Sequence, residues 1–178
     1  QNSRTRQITL IGLMTAITCI LAPLSIPLPF SPVPISLTNL VIFISVFILG
    51  MKDATISFLI YLLLGSVGLP VFASFHAGLS VLAGPTGGYL IGFIFLALIQ
   101  GFAMKYFDRK LIPTIIGMLI GMAVCYIFGT VWLAKLMSLS FKEGLFMGVI
   151  PYLPGDAVKI IIAVIVGPKL YAATKKVR

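Results

Sequence analysis

Of the 178 residues, 60% are apolar and 10% are charged, and the mean hydropathy is +1.15, which places the chain among integral membrane proteins. The net charge of +9 does not indicate a nucleic-acid-binding protein, because the basic residues are distributed among predicted membrane loops. The two cysteines, Cys19 and Cys125, lie within predicted spans and exclude a disulfide framework or a Cys/His metal site.

The apolar runs predict six membrane-spanning helices, since each needs about 20 mostly apolar residues. The first run follows Arg4 and Arg6 and taken alone is also typical of a signal peptide, but the five further runs favour a first spanning helix. Clusters of Pro, Gly and charge separate spans near 7–25, 35–50, 54–69, 87–106, 112–137 and 154–173. We therefore expect a single all-α transmembrane domain over residues 1–178.

The positions of the thirteen Lys and Arg residues predict the orientation of this bundle. Lys135 and Lys142 fall on one side of the six-helix arrangement, and Lys159 falls in the membrane region. The other ten lie on the side of the termini: Arg4, Arg6, Lys52, Lys105, Arg109, Lys110, Lys169, Lys175, Lys176 and Arg178. The positive-inside rule predicts cytoplasmic N- and C-termini.

This orientation puts the three unusual connections of the chain on the outside. They are the Pro-rich segment 25–36, the Gly-rich segment 69–89 and the segment 138–156, whereas the inner loops are short and charged. Long outer loops over a plain inner face favour a receptor for a solute that arrives from outside.

The stretch "LPGDAVK" (153–159) opens the last predicted helix and carries a carboxylate and an amine. Pro154 suits a first helical turn, and Asp156 and Lys159 are i and i+3 neighbours on one face. A charge at mid-membrane costs about 2.5 to 3.5 kcal/mol, so charges there are usually functional. One interpretation is that both residues line an outward-facing cavity and bind a polar ligand. The alternative is an internal salt bridge, or a helix-start carboxylate beside a lysine that extends toward water.

Other polar residues gather at the same depth in the predicted topology. Thr38 and Asn39 open the second span, Tyr89 opens the fourth, and His76 lies in the loop between the third and fourth. Each also has an ordinary explanation, namely helix capping or cross-linking, an interfacial aromatic belt, or a solvated histidine. Their convergence on one leaflet indicates a binding site.

Three stretches, "PVPISL" (32–37), "GLPVFASFHAGLSVLAGPTGGYLIGF" (68–93) and "LPGDAVK", resemble the signature segments of the BioY family, the biotin-binding S components of energy-coupling factor (ECF) transporters. The resemblance implies a six-helix S component of a prokaryotic plasma membrane that captures biotin from outside. It also implies a transmembrane T subunit and two cytoplasmic ATPases as partners, since this chain has no G-x-x-x-x-G-K-[ST] loop. No cofactor is expected besides biotin as the transported ligand.

The resemblance also assigns residues to two sites. It implies Asp156, Lys159 and the "GPTGGY" segment, with Gly87, Gly88 and Tyr89, as parts of the biotin pocket. In this chain Asn39 stands near the position where many relatives carry Gln, and His76 where many carry Asn or a small residue. On the first helix, the small-x-x-x-small pair Gly12 and Ala16 is expected to dock the T subunit; the alternative is packing within the bundle, as expected for Gly117 and Gly121.

Other function classes find less support in the sequence. An intramembrane aspartyl protease needs two carboxylates that share a proton, and Asp156 alone among the four acidic residues is predicted at membrane depth. The chain contains no H-E-x-x-H or G-x-S-x-G motif, so we expect a binding subunit and not an enzyme. A channel would use "GPTGGY" as a carbonyl-lined filter between symmetric subunits. A purely structural membrane subunit would bind no small molecule.

Overall fold

The computed structural model describes residues 2–176, so Arg178, one of the ten basic residues assigned to the inner side, lies outside the described residues. Seven helices and two strands follow one another along these residues. They are α1 (Asn2–Leu21), β1 (Ser25–Leu28), β2 (Ser31–Ser36), α2 (Thr38–Ser66), α3 (Leu79–Ala83), α4 (Gly87–Tyr106), α5 (Leu111–Met137), α6 (Phe141–Gly148) and α7 (Leu153–Lys176). Two single 3₁₀ turns, Ala73–Phe75 and Ile150–Tyr152, precede α3 and α7.

Helix α2 consists of two antiparallel segments that meet at Gly50. This glycine has φ 82° and ψ −179°, a left-handed conformation that interrupts the helix. Segment 51–66 runs against α4, with Gly101 beside Met51 and Phe93 beside Phe58, whereas Asn39 in segment 38–49 contacts the start of α7. The chain therefore reverses direction at Gly50, and the second and third predicted spans are two segments of one helical element.

The described helices supply six long helical segments, as predicted: α1, the two segments of α2, α4, α5 and α7. Four stretches are long and apolar enough to cross a membrane, namely Thr38–Ser66, Gly87–Tyr106, Leu111–Met137 and Phe141–Lys176. Helix α1 carries Arg4 and Arg6 near its start, and its 20 residues form about 30 Å of helix, which matches the hydrocarbon thickness of a bilayer.

Small residues allow α4 and α5 to pack closely. A Cβ at Gly92 would lie 2.9 Å from the Cys125 Sγ atom, and a Cβ at Gly121 would lie 2.8 Å from Leu96 Cδ1. At Gly117 it would lie 2.6 Å from Ala103 Cβ. Close helix approach through small residues is the usual packing mode in membranes. The interpretation of Gly117 and Gly121 as packing residues is confirmed.

The Pro-rich connection after α1 forms an antiparallel β-hairpin, which the sequence analysis did not predict. Ser25 pairs with Ser36 and Ile26 with Ile35, and the register shifts before Leu28 pairs with Ser31. The hairpin lies beside the 3₁₀ turn Ala73–Phe75, where the Ser25 and Ser74 hydroxyls are 2.8 Å apart. The long segments of the fold remain helical, and the hairpin covers one end of them.

The opposite end of the bundle holds the Gly50 reversal, the α4–α5 loop and the two ends of the described chain. Gln7 of α1 bonds Asp53 just after the reversal, and the Arg109 guanidinium lies over the Tyr171 ring of α7 at 3.7 Å from its centroid. We call these two ends of the bundle the hairpin end and the loop end.

Candidate functional site

A cavity of about 440 Å³ lies inside the hairpin end, within the range of about 300 to 1,000 Å³ typical of small-molecule sites. The hairpin, the connection between α2 and α4, the middle of α5 and the first turns of α2, α4 and α7 surround it. Much of its wall is apolar, including Phe72, Leu90, Phe93 and Met122. A mostly apolar pocket with a few directed polar groups is the usual form of a ligand site.

Asp156 is the buried acid of this cavity, with only 7% of its surface exposed. Its Oδ1 atom accepts hydrogen bonds from Asn39 Nδ2 at 2.8 Å and from Lys159 Nζ at 3.1 Å. Its Oδ2 atom accepts a hydrogen bond from the Tyr126 hydroxyl. Three side chains from three helices therefore hold one carboxylate in place.

The local sequence explains why Asp156 is at this position. Pro154 is the second residue of α7, where its missing N–H leaves no broken helical bond, and Asp156 follows in the same first turn. A carboxylate at a helix start is stabilised by the free N–H groups and the positive end of the helix dipole. The sequence prediction for this turn is confirmed.

Lys159 lies one helical turn farther along α7 and also contacts the hairpin. Its Nζ atom donates to Asp156 Oδ1 and, at 2.6 Å, to the backbone oxygen of Ser36. The internal salt bridge considered from the sequence is thus present. Both residues also line the cavity, so the two sequence interpretations are compatible.

The remaining predicted pocket residues divide into two groups. Thr38, Asn39, Tyr89 and His76 line the cavity together with Asp156 and Lys159. Gly87 and Gly88 are not among its lining residues: a Cβ at Gly87 would lie 1.8 Å from the Leu82 oxygen, and one at Gly88 would lie 2.4 Å from Trp132 Cβ. These two glycines permit helix packing, and Gly84, Pro85 and Thr86 of the same motif line the cavity instead.

Several lining residues were missed or interpreted differently from the sequence. Tyr126 was not singled out, although it is a hydroxyl-bearing residue inside an otherwise apolar span. Trp132 is not among the cavity-lining residues, and its indole N–H donates to the Gly84 oxygen at 2.9 Å. Tyr152 lines the cavity.

Gly12 and Ala16 lie on an exposed face of α1. No atom lies within 4 Å of a Cβ built at Gly12, and Ala16 is exposed as well. The alternative that this pair packs within the bundle is therefore wrong for the described chain. Larger apolar residues on α1, Ile8, Leu13 and Ile20, are also more than half exposed.

Among residues 2–176, no group of three or more His, Cys, Asp or Glu side chains is arranged to hold a metal ion. The polar groups of the cavity instead suit an organic ligand that offers both a donor and an acceptor. Asp156 is an acceptor, and Lys159 is a donor.

The comparisons with known proteins agree across nearly the whole chain. The BioY family pattern matches residues 1–176. "Biotin transporter BioY2" of Lactococcus lactis subsp. cremoris is 32% identical over 173 residues, covering 97% of this chain and 94% of its own. "Biotin transporter BioY" of Thermotoga maritima is 34% identical over 165 residues, covering 93% and 95%. The crystal structure of "the S-component for biotin from an ECF-type ABC transporter" superposes with a TM-score of 0.89 at 31% identity, covering 96% of this chain and 93% of that one.

Proposed function

The chain belongs to the BioY family, and we propose that it captures biotin in the cavity of its hairpin end as the substrate-binding subunit of an ECF-type transporter. The resemblance drawn from the three sequence motifs is confirmed. Because the family consists of transporter S components, the chain is a biotin transport component and not an enzyme. Biotin is the transported ligand, and no step of its capture requires a cofactor.

The observation that carries the site proposal is the unfilled hydrogen-bonding capacity of the Asp156–Lys159 pair. A carboxylate has about four acceptor positions, of which Asn39, Lys159 and Tyr126 use three. An ammonium has three donors, of which Asp156 and the Ser36 oxygen use two. One acceptor and one donor remain in a mostly apolar cavity, and both are charged, so bonds to them are strong.

The ureido ring of biotin fits this remaining pair. An N–H of the ring is proposed to donate to Asp156, and the ring carbonyl accepts from Lys159. The carboxylate of the valerate tail fits less well, because it would add a second buried anion beside Asp156.

The carboxylate is instead proposed to lie toward His76, at an exposed part of the cavity wall. An anion that stays partly hydrated there avoids the cost of complete burial. Among the described lining residues, the basic side chains are those of His76 and Lys159. The apolar walls between these two points suit the thiophane ring and the methylene chain of biotin.

Equilibrium binding of radiolabelled biotin to the detergent-purified chain tests the function. We expect saturable binding that unlabelled biotin displaces and that other water-soluble vitamins, such as thiamin and riboflavin, do not. A folded, monodisperse sample that binds no biotin would refute the proposal, and displacement by another vitamin would reassign the ligand.

The basic residues and the placement of the chain ends support an outward-facing cavity. Nine of the ten basic residues assigned to the inner side fall in the described chain, and the two chain ends lie at the loop end with the short charged loops. The positive-inside rule then favours a cytoplasmic loop end in a prokaryotic plasma membrane. Cysteine accessibility to a membrane-impermeant reagent in whole cells checks this, with Lys142→Cys expected to react and Lys52→Cys expected to be protected.

Energy for transport is proposed to come from a T subunit and two cytoplasmic ATPases, because this chain contains no phosphate-binding loop. The exposed pair Gly12 and Ala16 offers a surface on which another helix can approach closely. Replacing both by Leu should abolish copurification with the T subunit and leave biotin binding intact. Loss of biotin binding in this variant would contradict the docking role.

The hairpin is proposed to act as a lid over the bound biotin. Its residues Leu28, Ser31 and Val33 line the cavity, and the Ser25 and Ser74 hydroxyls join its base to the neighbouring loop at 2.8 Å. A Ser25→Cys/Ser74→Cys disulfide, made in a background without Cys19 and Cys125, should block biotin entry until it is reduced. Undiminished uptake by the oxidised protein would remove the lid from the mechanism.

A further inference from the structure

The hairpin cannot be held closed by its own hydrogen bonds alone. Four of its residues, Pro27, Pro29, Pro32 and Pro34, have no backbone N–H to donate. Its register is also irregular between Ile26 and Leu28. An isolated two-stranded hairpin is marginally stable even with a regular ladder. Its position over the cavity therefore depends on contacts with the helices.

Tyr152 provides such a contact from the 3₁₀ turn that precedes α7. The residue is 8% exposed, and its hydroxyl lies within hydrogen-bonding distance of the backbone oxygen of Val33 and of Ser31 Oγ, the latter at 3.0 Å. Because a phenol has one proton, Tyr152 donates it to one of these oxygens, and the Ser31 hydroxyl is able to donate in return. Val33 packs against the buried cluster formed by Tyr89, Cys125 and Leu133, so this point of β2 is anchored on two sides.

A second polar contact with β2 comes from α7, which directly follows Tyr152 in the chain. Lys159 donates to the Ser36 oxygen at 2.6 Å, and it shares the first two turns of α7 with Asp156. Tyr152 differs from Lys159 because both hydrogen bonds of its hydroxyl go to the hairpin. Removing that hydroxyl loosens the hairpin and leaves the Asp156 cluster complete.

On the basis of the proposed biotin site, we propose that Tyr152 is a positioning residue that clamps the hairpin over the cavity and thereby sets the rates of biotin entry and release. Tyr152 holds the hairpin over the cavity wall, so the hairpin detaches from Tyr152 before a ligand passes. The same detachment is required for release. Loosening the clamp therefore accelerates both steps by a similar factor and leaves the equilibrium affinity nearly unchanged.

Hydrogen exchange on the ligand-free protein tests the clamp without any ligand. In Tyr152→Phe, we expect peptides that cover residues 31–36 to exchange about three to ten times faster, as expected for the loss of one or two hydrogen bonds. Ser31→Ala, which removes the side-chain partner of Tyr152, should produce a smaller increase. Tyr106→Phe, at an exposed position of the loop end, is the matched control. Unchanged exchange in Tyr152→Phe would overturn the proposal whatever the binding data show.

Rates of labelled biotin binding to the same variants test the gating role. Tyr152→Phe should raise the association and dissociation rate constants together by about three- to tenfold. Unchanged rates with faster exchange would overturn gating. If only dissociation becomes faster and the affinity falls, Tyr152 contacts the ligand directly, and the gating role is also overturned. If the wild-type protein binds no biotin, the proposed function and the gating of biotin are both refuted. The hydrogen-exchange result still shows whether Tyr152 holds the hairpin in place.

Discussion

Each end of the helix bundle contains a carboxylate that accepts hydrogen bonds from a side-chain amide, but the two carboxylates have different surroundings. At the hairpin end, Asn39 donates to Asp156 inside the cavity. At the loop end, Gln7 donates to both oxygens of Asp53, at 2.9 and 2.8 Å, on the exposed surface between α1 and α2. The same pair of chemical groups joins two helices on the surface at one end and lines the proposed biotin cavity at the other.

The basic residues of the two ends differ in a corresponding way. Lys159 pairs with Asp156 and keeps one donor for a ligand. Arg109 donates to the Phe47 oxygen at 2.7 Å, and its guanidinium covers the Tyr171 ring. Its side chain is also the group nearest to a Cβ built at Gly50. Arg109 therefore joins the α2 reversal to α7. Both ends contain charged and amide groups, so what distinguishes the hairpin end from the loop end is that its groups are buried beside a cavity.

The largest effect should follow from removing the half-buried Lys159. In Lys159→Met, Asp156 loses its cationic partner, which costs about 3 to 5 kcal/mol for a buried pair. We expect a lower temperature of aggregation in detergent and no measurable biotin binding. The double variant Asp156→Asn/Lys159→Met should recover thermal stability but not binding. A double variant less stable than Lys159→Met would contradict this account.

A smaller effect on stability alone is expected at the loop end. Arg109→Ala removes one hydrogen bond to a backbone oxygen and one cation–π contact, together about 1 to 2 kcal/mol at this partly exposed position. Thermal stability should fall while biotin affinity stays unchanged, and Arg109→Lys should recover part of the loss. A fall in affinity would show that the two ends are coupled and would weaken the contrast between them.

The smallest effect is expected at His76, which should affect the carboxylate end of biotin and not its ureido end. His76→Gln removes the proposed, exposed partner of the biotin carboxylate, and exposed ionic contacts contribute about 0 to 1 kcal/mol, or up to about fivefold in affinity. The loss should appear for biotin and be absent for its neutral amide, biotinamide. Equal losses for both ligands would place the carboxylate away from His76.

The long helices and the polar cluster at the start of α7 were predictable from the sequence because each rests on a local pattern. Hydropathy marks the spans, and Pro154 followed by Asp156 marks a helix start. The hairpin was not predicted, because prolines usually argue against strands and this ladder depends on contacts with Tyr152 and Lys159 that are distant in sequence.

The assignment of individual residues to the site was less predictable for the same reason. A glycine that lets a ligand approach and one that lets a helix approach look identical in sequence, and Gly87 and Gly88 are of the second kind. Tyr126 bonds a residue 30 positions away, so its role follows only from the packing of α5 against α7. The polar residues Asn39, Asp156 and Lys159 were easier to find, since buried polar groups in a membrane need partners.

The most direct test is a titration of biotin against two matched carboxylate variants, Asp156→Asn and Asp53→Asn. Both replace a carboxylate that accepts hydrogen bonds from a side-chain amide, and the account predicts that only the first lowers biotin affinity, by about 10- to 100-fold for the loss of a charged hydrogen-bond acceptor. Unchanged affinity in Asp156→Asn, or an equal loss in Asp53→Asn, would contradict the assignment of the binding site to the hairpin end.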